Sequence, residues 1–244
     1  MTIIQKNEIV NLNNLLEVYN LMNKNVLRSS IVAFLAAIIC VTGFIRIMVP
    51  GLQSGIVIQN AMCILTAVLL GGLWGAAPSA LFFFAGVIGL PVFAGWKGGF
   101  SVLMDINGGY RIGWVMGALT AGLISGSASV AEKKTTVKYV IRLSIAVFAG
   151  MLALYLPEVF YVIGYKSSQA FDAATLEKLG MDVSLAGQQI GVAGALKIFF
   201  SMFFAPFLLV DSIKAVLVIL LSIKIRPIVA QYLFDSSEKQ SEAE

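Results

Sequence analysis

Histidine is absent from the 244 residues. That excludes serine–histidine and cysteine–histidine catalysis and every metal site built on imidazole. Cysteine is almost absent. Cys40 and Cys63 both fall inside apolar runs and read as small core residues, not as a disulfide or zinc site. Charge is scarce too: Asp, Glu, Lys and Arg make up 12% of the chain, about half the ~25% of ordinary soluble domains. Hydrophobic residues reach 59% and the mean hydropathy is +0.90. This balance argues against a soluble globular domain, and the chain is too apolar for a disordered one. No Gly-x-x-x-x-Gly-Lys-Ser/Thr loop, Asp-rich diphosphate motif or His-Glu-x-x-His occurs, so ATP binding in the Walker manner is excluded. Two halves with matching interrupted helices, the mark of many secondary transporters, are not evident either. The net charge of +4 is ordinary for the cytoplasmic loops of a membrane protein and carries no implication of nucleic-acid binding.

What is present is a series of apolar runs. A spanning helix needs about 20 apolar residues. Runs near 30–49, 56–73, 79–90, 109–124, 140–163 and 207–225 predict an all-α membrane protein with six transmembrane helices. The third run is short and is expected to continue into the Gly-Leu-Pro-Val-Phe segment after it. Residues 1–27 carry Ile9, Leu12, Leu15, Leu16, Tyr19 and Met22 at helical spacing, the pattern of an amphipathic helix lying on a membrane face. The transmembrane domain then covers 28–227, with a polar loop insertion at about 165–193. The apolar piece 194–204 reads as a surface or re-entrant helix, and 228–244 as a polar, acidic, solvated tail.

Lysine and arginine set the orientation. Lys24 and Arg28, then Lys133, Lys134, Lys138 and Arg142, then Lys224 and Arg226 fall on one side of a six-span layout. That side is read as cytoplasmic. Both termini then lie inside a multi-pass plasma-membrane protein, and the 165–193 insertion lies outside.

Polar residues at the spans are the first functional candidates, because a charge there costs roughly 2.5–3.5 kcal/mol on insertion scales. Asp211 and Lys214 are three apart and share a helix face. They read either as a structural ion pair or as a ligand clamp, and a pre-formed pair can open to a ligand. A glycine-rich outer loop, 89–99, lets backbone approach a ligand closely. Phe93, Trp96 and Tyr110 are placed to wall an apolar small molecule or to form an interfacial belt. Arg111, at a span entrance, suits a carboxylate. Gln59-Asn60 can bond a polar ligand or cap a neighbouring helix. Small-xxx-small pairs, Ala33/Ala37, Gly71/Gly75, Gly113/Gly117 and Gly122/Gly126, allow close helix approach.

These residues carry a resemblance. Ile58-Gln59-Asn60 through Leu70-Gly71, then Gly89-Leu90-Pro91-Val92-Phe93-Ala94-Gly95, then Gly108-Gly109-Tyr110 with Gly113 resemble the BioY family, the biotin-specific S components of energy-coupling factor (ECF) vitamin transporters. Pro206-Phe207-Leu208 with Asp211 and Lys214 is similar to that family's Pro-Phe-Leu-x-x-Asp-x-x-Lys element. The resemblance covers about 33–223. Asp105-Ile106-Asn107 stands where the family commonly reads Gly-Pro-Thr, and Leu209-Val210 where Pro-Gly is usual.

The resemblance implies an S-component-like six-helix bundle with a ligand pocket near the extracellular side. It implies no enzyme activity and no cofactor. The chain would capture biotin from outside and topple in the membrane to release it. Its partners would be an ECF transmembrane coupling protein, docked through Ala33 and Ala37, and two ABC ATPases that supply ATP hydrolysis in trans. Biotin offers two ureido N–H donors, a carbonyl, an apolar body and a carboxylate. Asp211 would then accept a ureido N–H, and Lys214 or Arg111 would meet the carboxylate. Asn107 or Gln59 would complete the polar contacts, and Phe93, Trp96 and Tyr110 the apolar ones. Two alternatives stand beside this: an S component for a different vitamin or small carboxylate, and a membrane-embedded transferase. The missing histidine and metal motifs disfavour the second.

Overall fold

The computed structural model describes residues 25–47, 55–105, 107–129, 132, 136–168, 170–178 and 181–234. Of the amphipathic segment expected at 1–27 and the polar tail expected at 228–244, residues 1–24 and 235–244 lie outside the described residues; 25–27 are helical, and 228–234 continue the last helix instead of starting a tail.

The described residues are mostly helical. Helix α1 spans Asn25–Thr42. A short antiparallel pair follows, β1 (Arg46–Ile47) with β2 (Ile56–Val57), in the register Arg46↔Val57. Helix α2 (Gln59–Leu70) ends at Gly71, whose φ of 69° suits glycine. A 3-10 turn, Leu73–Ala76, leads into α3 (Ala77–Val87), with Pro78 in the first turn, where its missing N–H is harmless. Next come α4 (Gly108–Ser125), α5 (Val137–Ala153) and α6 (Leu156–Tyr161). Helix α7 (Ala173–Lys178), α8 (Gly191–Ile198) and α9 (Ala205–Phe234) complete the order.

Among the described residues, three helical stretches are long and apolar enough to cross a membrane by length and composition. They are Asn25–Thr42, Val137–Tyr165 and Ala205–Tyr232. Helix α2 is shorter, at 12 residues, and nearly all of it is buried within the protein. Backbone ends at such a depth are tolerated where protein surrounds them.

Two runs differ from expectation. The third stops being helical at Val87, because Gly89 takes a φ of 120° and Pro91 follows. Residues 194–204 are not a separate surface helix. Helix α8 passes through a π turn, Phe199–Phe204, directly into α9. The polar stretch after α6 is partly structured, with α7 in it, and its Leu176 is fully buried in the main core.

Helix α2 is the centre of the bundle and packs on α4 and α9, while α4 also packs on α5 and α6. Small residues make the α4 crossing close. A Cβ on Gly109 would stand 2.6 Å from the Pro157 carbonyl oxygen and 2.7 Å from the Glu158 Cα. Helix α1 sits at the edge. Val32, Ala36 and Ile39 face inward, while Ala33 and Ala37 lie on its exposed side.

Far along α9 from Asp211, about 22 Å at 1.5 Å per residue, Arg226 is 0% exposed. Its Nε lies 3.0 Å from the Glu132 carboxylate. Its Nη2 donates to the backbone oxygens of Ser125 (2.9 Å) and Gly126 (2.6 Å). This ties α9 to the end of α4.

Candidate functional site

A cluster of buried polar residues forms where α2, α4, the α5–α6 turn and α9 meet. Asp211 is buried on the inner face of α9. Its Oδ1 accepts from Lys214 Nζ at 2.8 Å and from Asn60 Nδ2 at 3.1 Å. Its Oδ2 accepts from the Tyr155 hydroxyl. Asn60 also donates to the Tyr110 hydroxyl at 3.0 Å, and its Oδ1 accepts from Lys214 at 3.1 Å. Every group in this network has its partner, which buried ions require.

A second buried carboxylate supports the start of α4. Glu158 is 0% exposed, and its Oε2 accepts the Tyr110 backbone N–H at 2.6 Å. That N–H is one of the donors a helix start leaves without an intrahelical partner. Gly108 and Gly109 admit α6 at this point, so the carboxylate reaches the backbone.

Arg111 is buried on α4. It donates to the Val102 carbonyl and lies 3.4 Å from Asp105. Its guanidinium stands 5.6 Å from the Phe93 ring centroid, within cation–π range. Asp105 also holds Lys97 at 2.7 Å.

Next to this network is a cavity of about 90 Å³. Arg46, Lys97, Arg111 and Lys214 line it, with Asn107 and Tyr110, and among the described residues no acidic one belongs to its lining. Val57, Trp114 and Phe207 supply apolar wall. The cavity therefore joins a cationic rim to an aromatic body, a chemistry suited to a small carboxylate with an apolar skeleton.

The structure brings Asn107, Tyr110, Arg111 and Lys214 together on this cavity. Asp211 stands behind Lys214 and is not part of the lining. Gln59 is fully buried and turned elsewhere. Its Nε2 donates to the carbonyls of Val92 (2.8 Å) and Ile39 (3.3 Å), and its Oε1 accepts from the Ala94 N–H at 3.1 Å. Gln59 thus pins the 92–94 loop. Phe93 lies in the core, edge-on to Phe82 at 5.3 Å. Trp96 is 67% exposed and stacks on Phe44 at 4.2 Å.

The cause is a tight turn. Phe93 and Lys97 exchange backbone hydrogen bonds of 3.0 and 3.2 Å, and Gly95 and Trp96 between them take φ of 81° and 62°. This sends Phe93 inward, Trp96 outward and Lys97 to the cavity.

Sequence reasoning did not single out Arg46, Trp114, Tyr155 or Glu158. Tyr155 and Glu158 sit inside the long apolar run 140–163, where an isolated glutamate was itself a signal.

The fold and this site define a class: a helical membrane protein whose interior polar groups stand beside a cation-lined cavity. Within that class the chain belongs to the BioY family, whose family model matches residues 19–231. It is 34% identical over 108 residues to the biotin transporter BioY of Thermotoga maritima, covering 44% of this chain and 59% of that protein. It is 33% identical over 103 residues to the biotin transporter BioY of Rhodobacter capsulatus, covering 42% of this chain and 53% of that protein. The chain thus spans little more than half the length of the curated relatives it matches. The fold is similar to a crystal structure of the S-component for biotin from an ECF-type ABC transporter. The TM-score is 0.51 with 25% identity, covering 84% of this chain and 93% of that one.

Proposed function

We propose that this chain is a substrate-binding membrane subunit that captures biotin from outside and delivers it inward as part of an ECF-type ABC importer. The observation that carries this is the cavity wall: among the described residues, four cationic side chains and no acidic one, around Trp114, Tyr110 and Phe207. Biotin's carboxylate suits Lys214 and Arg111, its apolar rings and chain suit the aromatic wall, and Asn107 is available to the ureido group. In this reading Asp211, with Asn60 and Tyr155, acts through Lys214 by fixing its ammonium. Phe93 and Gln59 act by fixing the loop that presents Lys97, and Trp96 closes that loop from outside.

The chain itself is not the ATPase in this proposal. Hydrolysis belongs to two ABC ATPase partners, reached through a transmembrane coupling protein. The exposed Ala33 and Ala37 on α1 support a docking face there, since small residues let two helices approach closely. Six crossings, α1, α2, α3, α4, α5–α6 and α9, would put Arg28, Lys138, Arg142, Lys224 and Arg226 toward one end, opposite the four cations of the cavity. That end is cytoplasmic and the cavity opens toward the opposite side.

The same wall suits other small carboxylates, and Asp105, a departure from the family pattern, alters it. Titration of the purified chain with biotin, followed by Trp114 fluorescence or calorimetry, tests the proposal. Saturable binding weakened by Lys214→Ala and Arg111→Ala is expected. Unchanged affinity in both variants removes the clamp, and a different preferred ligand in a vitamin panel replaces biotin.

A further inference from the structure

At the other end of the bundle, a groove of about 510 Å³ lies along the end of α4 and the start of α5. Lys138, Ile141, Arg142 and Ile145 recur at three- and four-residue spacing and share one exposed face of α5. Ile124, exposed on α4, also lines it, with Thr136 and the buried Tyr139 and Glu132.

Depth divides this groove in two. The α5–α6 stretch runs over 29 residues, Val137–Tyr165, or about 43 Å at 1.5 Å per residue. That exceeds a hydrocarbon core of ~30 Å, so the stretch is long enough for the charged first turn of α5 to stand at the headgroup layer. Lys138 lies in that turn. Arg142 is one turn deeper and reaches the same layer by extending its side chain. Ile141, Ile145 and Ile124 stand at the level of the acyl chains.

Charge is unbalanced in one direction. Arg142 Nη2 donates to Glu132 Oε1 at 2.8 Å, and Arg226 Nε stands 3.0 Å from Glu132 Oε2. One carboxylate therefore faces two guanidiniums, and Lys138 is a further cation lining the same groove.

We propose that this groove is a binding site for one acidic phospholipid, its phosphate held by Lys138 and Arg142 and an acyl chain laid along Ile124, Ile141 and Ile145. Cationic pockets at a helix–headgroup boundary select acidic headgroups on electrostatic grounds. The site is separate from the solute cavity and does not depend on the identity of that solute.

Native mass spectrometry of the full chain released from micelles tests this, with phosphatidylglycerol, phosphatidylcholine or glycerol phosphate added in parallel. One retained phosphatidylglycerol per chain is expected, with phosphatidylcholine retained much less and glycerol phosphate giving no adduct. Lys138→Gln should weaken phosphatidylglycerol retention about fivefold, the effect of one interfacial cation. Lys138→Gln/Arg142→Gln should abolish the preference. Where the double variant does not fold, the single variant decides, because Lys138 is exposed and outside the core. Equal retention of phosphatidylcholine, an equal adduct with glycerol phosphate, or unchanged retention by Lys138→Gln each overturns the proposal.

Discussion

Asn60 on α2 donates its side-chain amide to Asp211 on α9 across 3.1 Å, while its own amide oxygen accepts from Lys214 at 3.1 Å. One neutral side chain thus serves both members of an ion pair, and it joins them to the Tyr110 hydroxyl. Its donor and its acceptor sit on two separate atoms, so the amide serves the carboxylate and the ammonium at once. Asn60→Leu keeps the branched shape and the number of heavy atoms and removes both functions. It is expected to cost about 2 kcal/mol of stability, the penalty for leaving buried polar groups short of partners. The check is the thermal midpoint in detergent. An unchanged midpoint means that the network does not hold α2 to α9.

Asp211 and Lys214 are both mostly buried, with side-chain exposures of 6% and 12%. Removing one partner strands a charge, at a cost of about 3–5 kcal/mol, whereas replacing both with apolar groups is often close to neutral. Asp211→Leu is therefore expected to be strongly destabilising, and Asp211→Leu/Lys214→Met to regain most of the loss. Biotin affinity should separate from stability. The double variant folds yet binds at least tenfold more weakly, the equivalent of one charge-assisted hydrogen bond of ~1.5–3 kcal/mol. Calorimetric titration of the double variant reads this out, and undiminished affinity excludes Lys214 from the ligand site.

How much of this was legible in the sequence depends on geometry that one dimension does or does not carry. The three-residue spacing of Asp211 and Lys214 sets them on one helix face whatever the tertiary fold, so their pairing could be read directly. Gln59 and Asn60 are different. Adjacent helix residues point about 100° apart, so both cannot face the same neighbour. Asn60 turned to α9 and Gln59 to the 92–94 loop, and nothing in the dipeptide says which. Phe93, Trp96 and Lys97 depended on a turn with two consecutive positive φ angles, one of them at a tryptophan. Such a backbone is rare outside glycine, so an alternation rule could not assign inward and outward sides. The 3-10 and π turns joining helices (Leu73–Ala76 and Phe199–Phe204) left the apolar runs recognisable but moved their ends.

Gly109 marks the place where α4 and α6 nearly touch. A Cβ there would meet the Pro157 oxygen at 2.6 Å, the Glu158 Cα at 2.7 Å and the Tyr161 Cβ at 2.7 Å. The obstacles are backbone or lie close to it, so they cannot rotate away. Gly109→Val is expected to push α6 from α4 and break the bond from the Tyr110 N–H to Glu158. The result should be a loss of about 2 kcal/mol or more, in the range of overpacked cores, with biotin affinity falling in parallel because Tyr110 lines the cavity. Thermal melts of Gly109→Ala and Gly109→Val should show a graded loss. Tolerance of valine would mean that the two helices part at little cost.

Asp105 lies between two cavity cations, 2.7 Å from Lys97 and 3.4 Å from Arg111. A ligand carboxylate approaching these cations must compete with it. Asp105→Asn removes the competitor's charge while keeping its size. The variant is therefore expected to bind biotin several-fold more tightly at low salt, with a steeper fall in affinity as salt is raised, because two less-neutralised cations then face the ligand and salt screens them. Lys97 is half exposed and Arg111 is held by the Val102 carbonyl and the Phe93 ring, so the fold should survive the change. Biotin titrations at two ionic strengths, on the native chain and on Asp105→Asn, measure both effects. Weaker binding at low salt would show instead that Asp105 holds Arg111 in its binding position, making the carboxylate a positioning group and not a competitor.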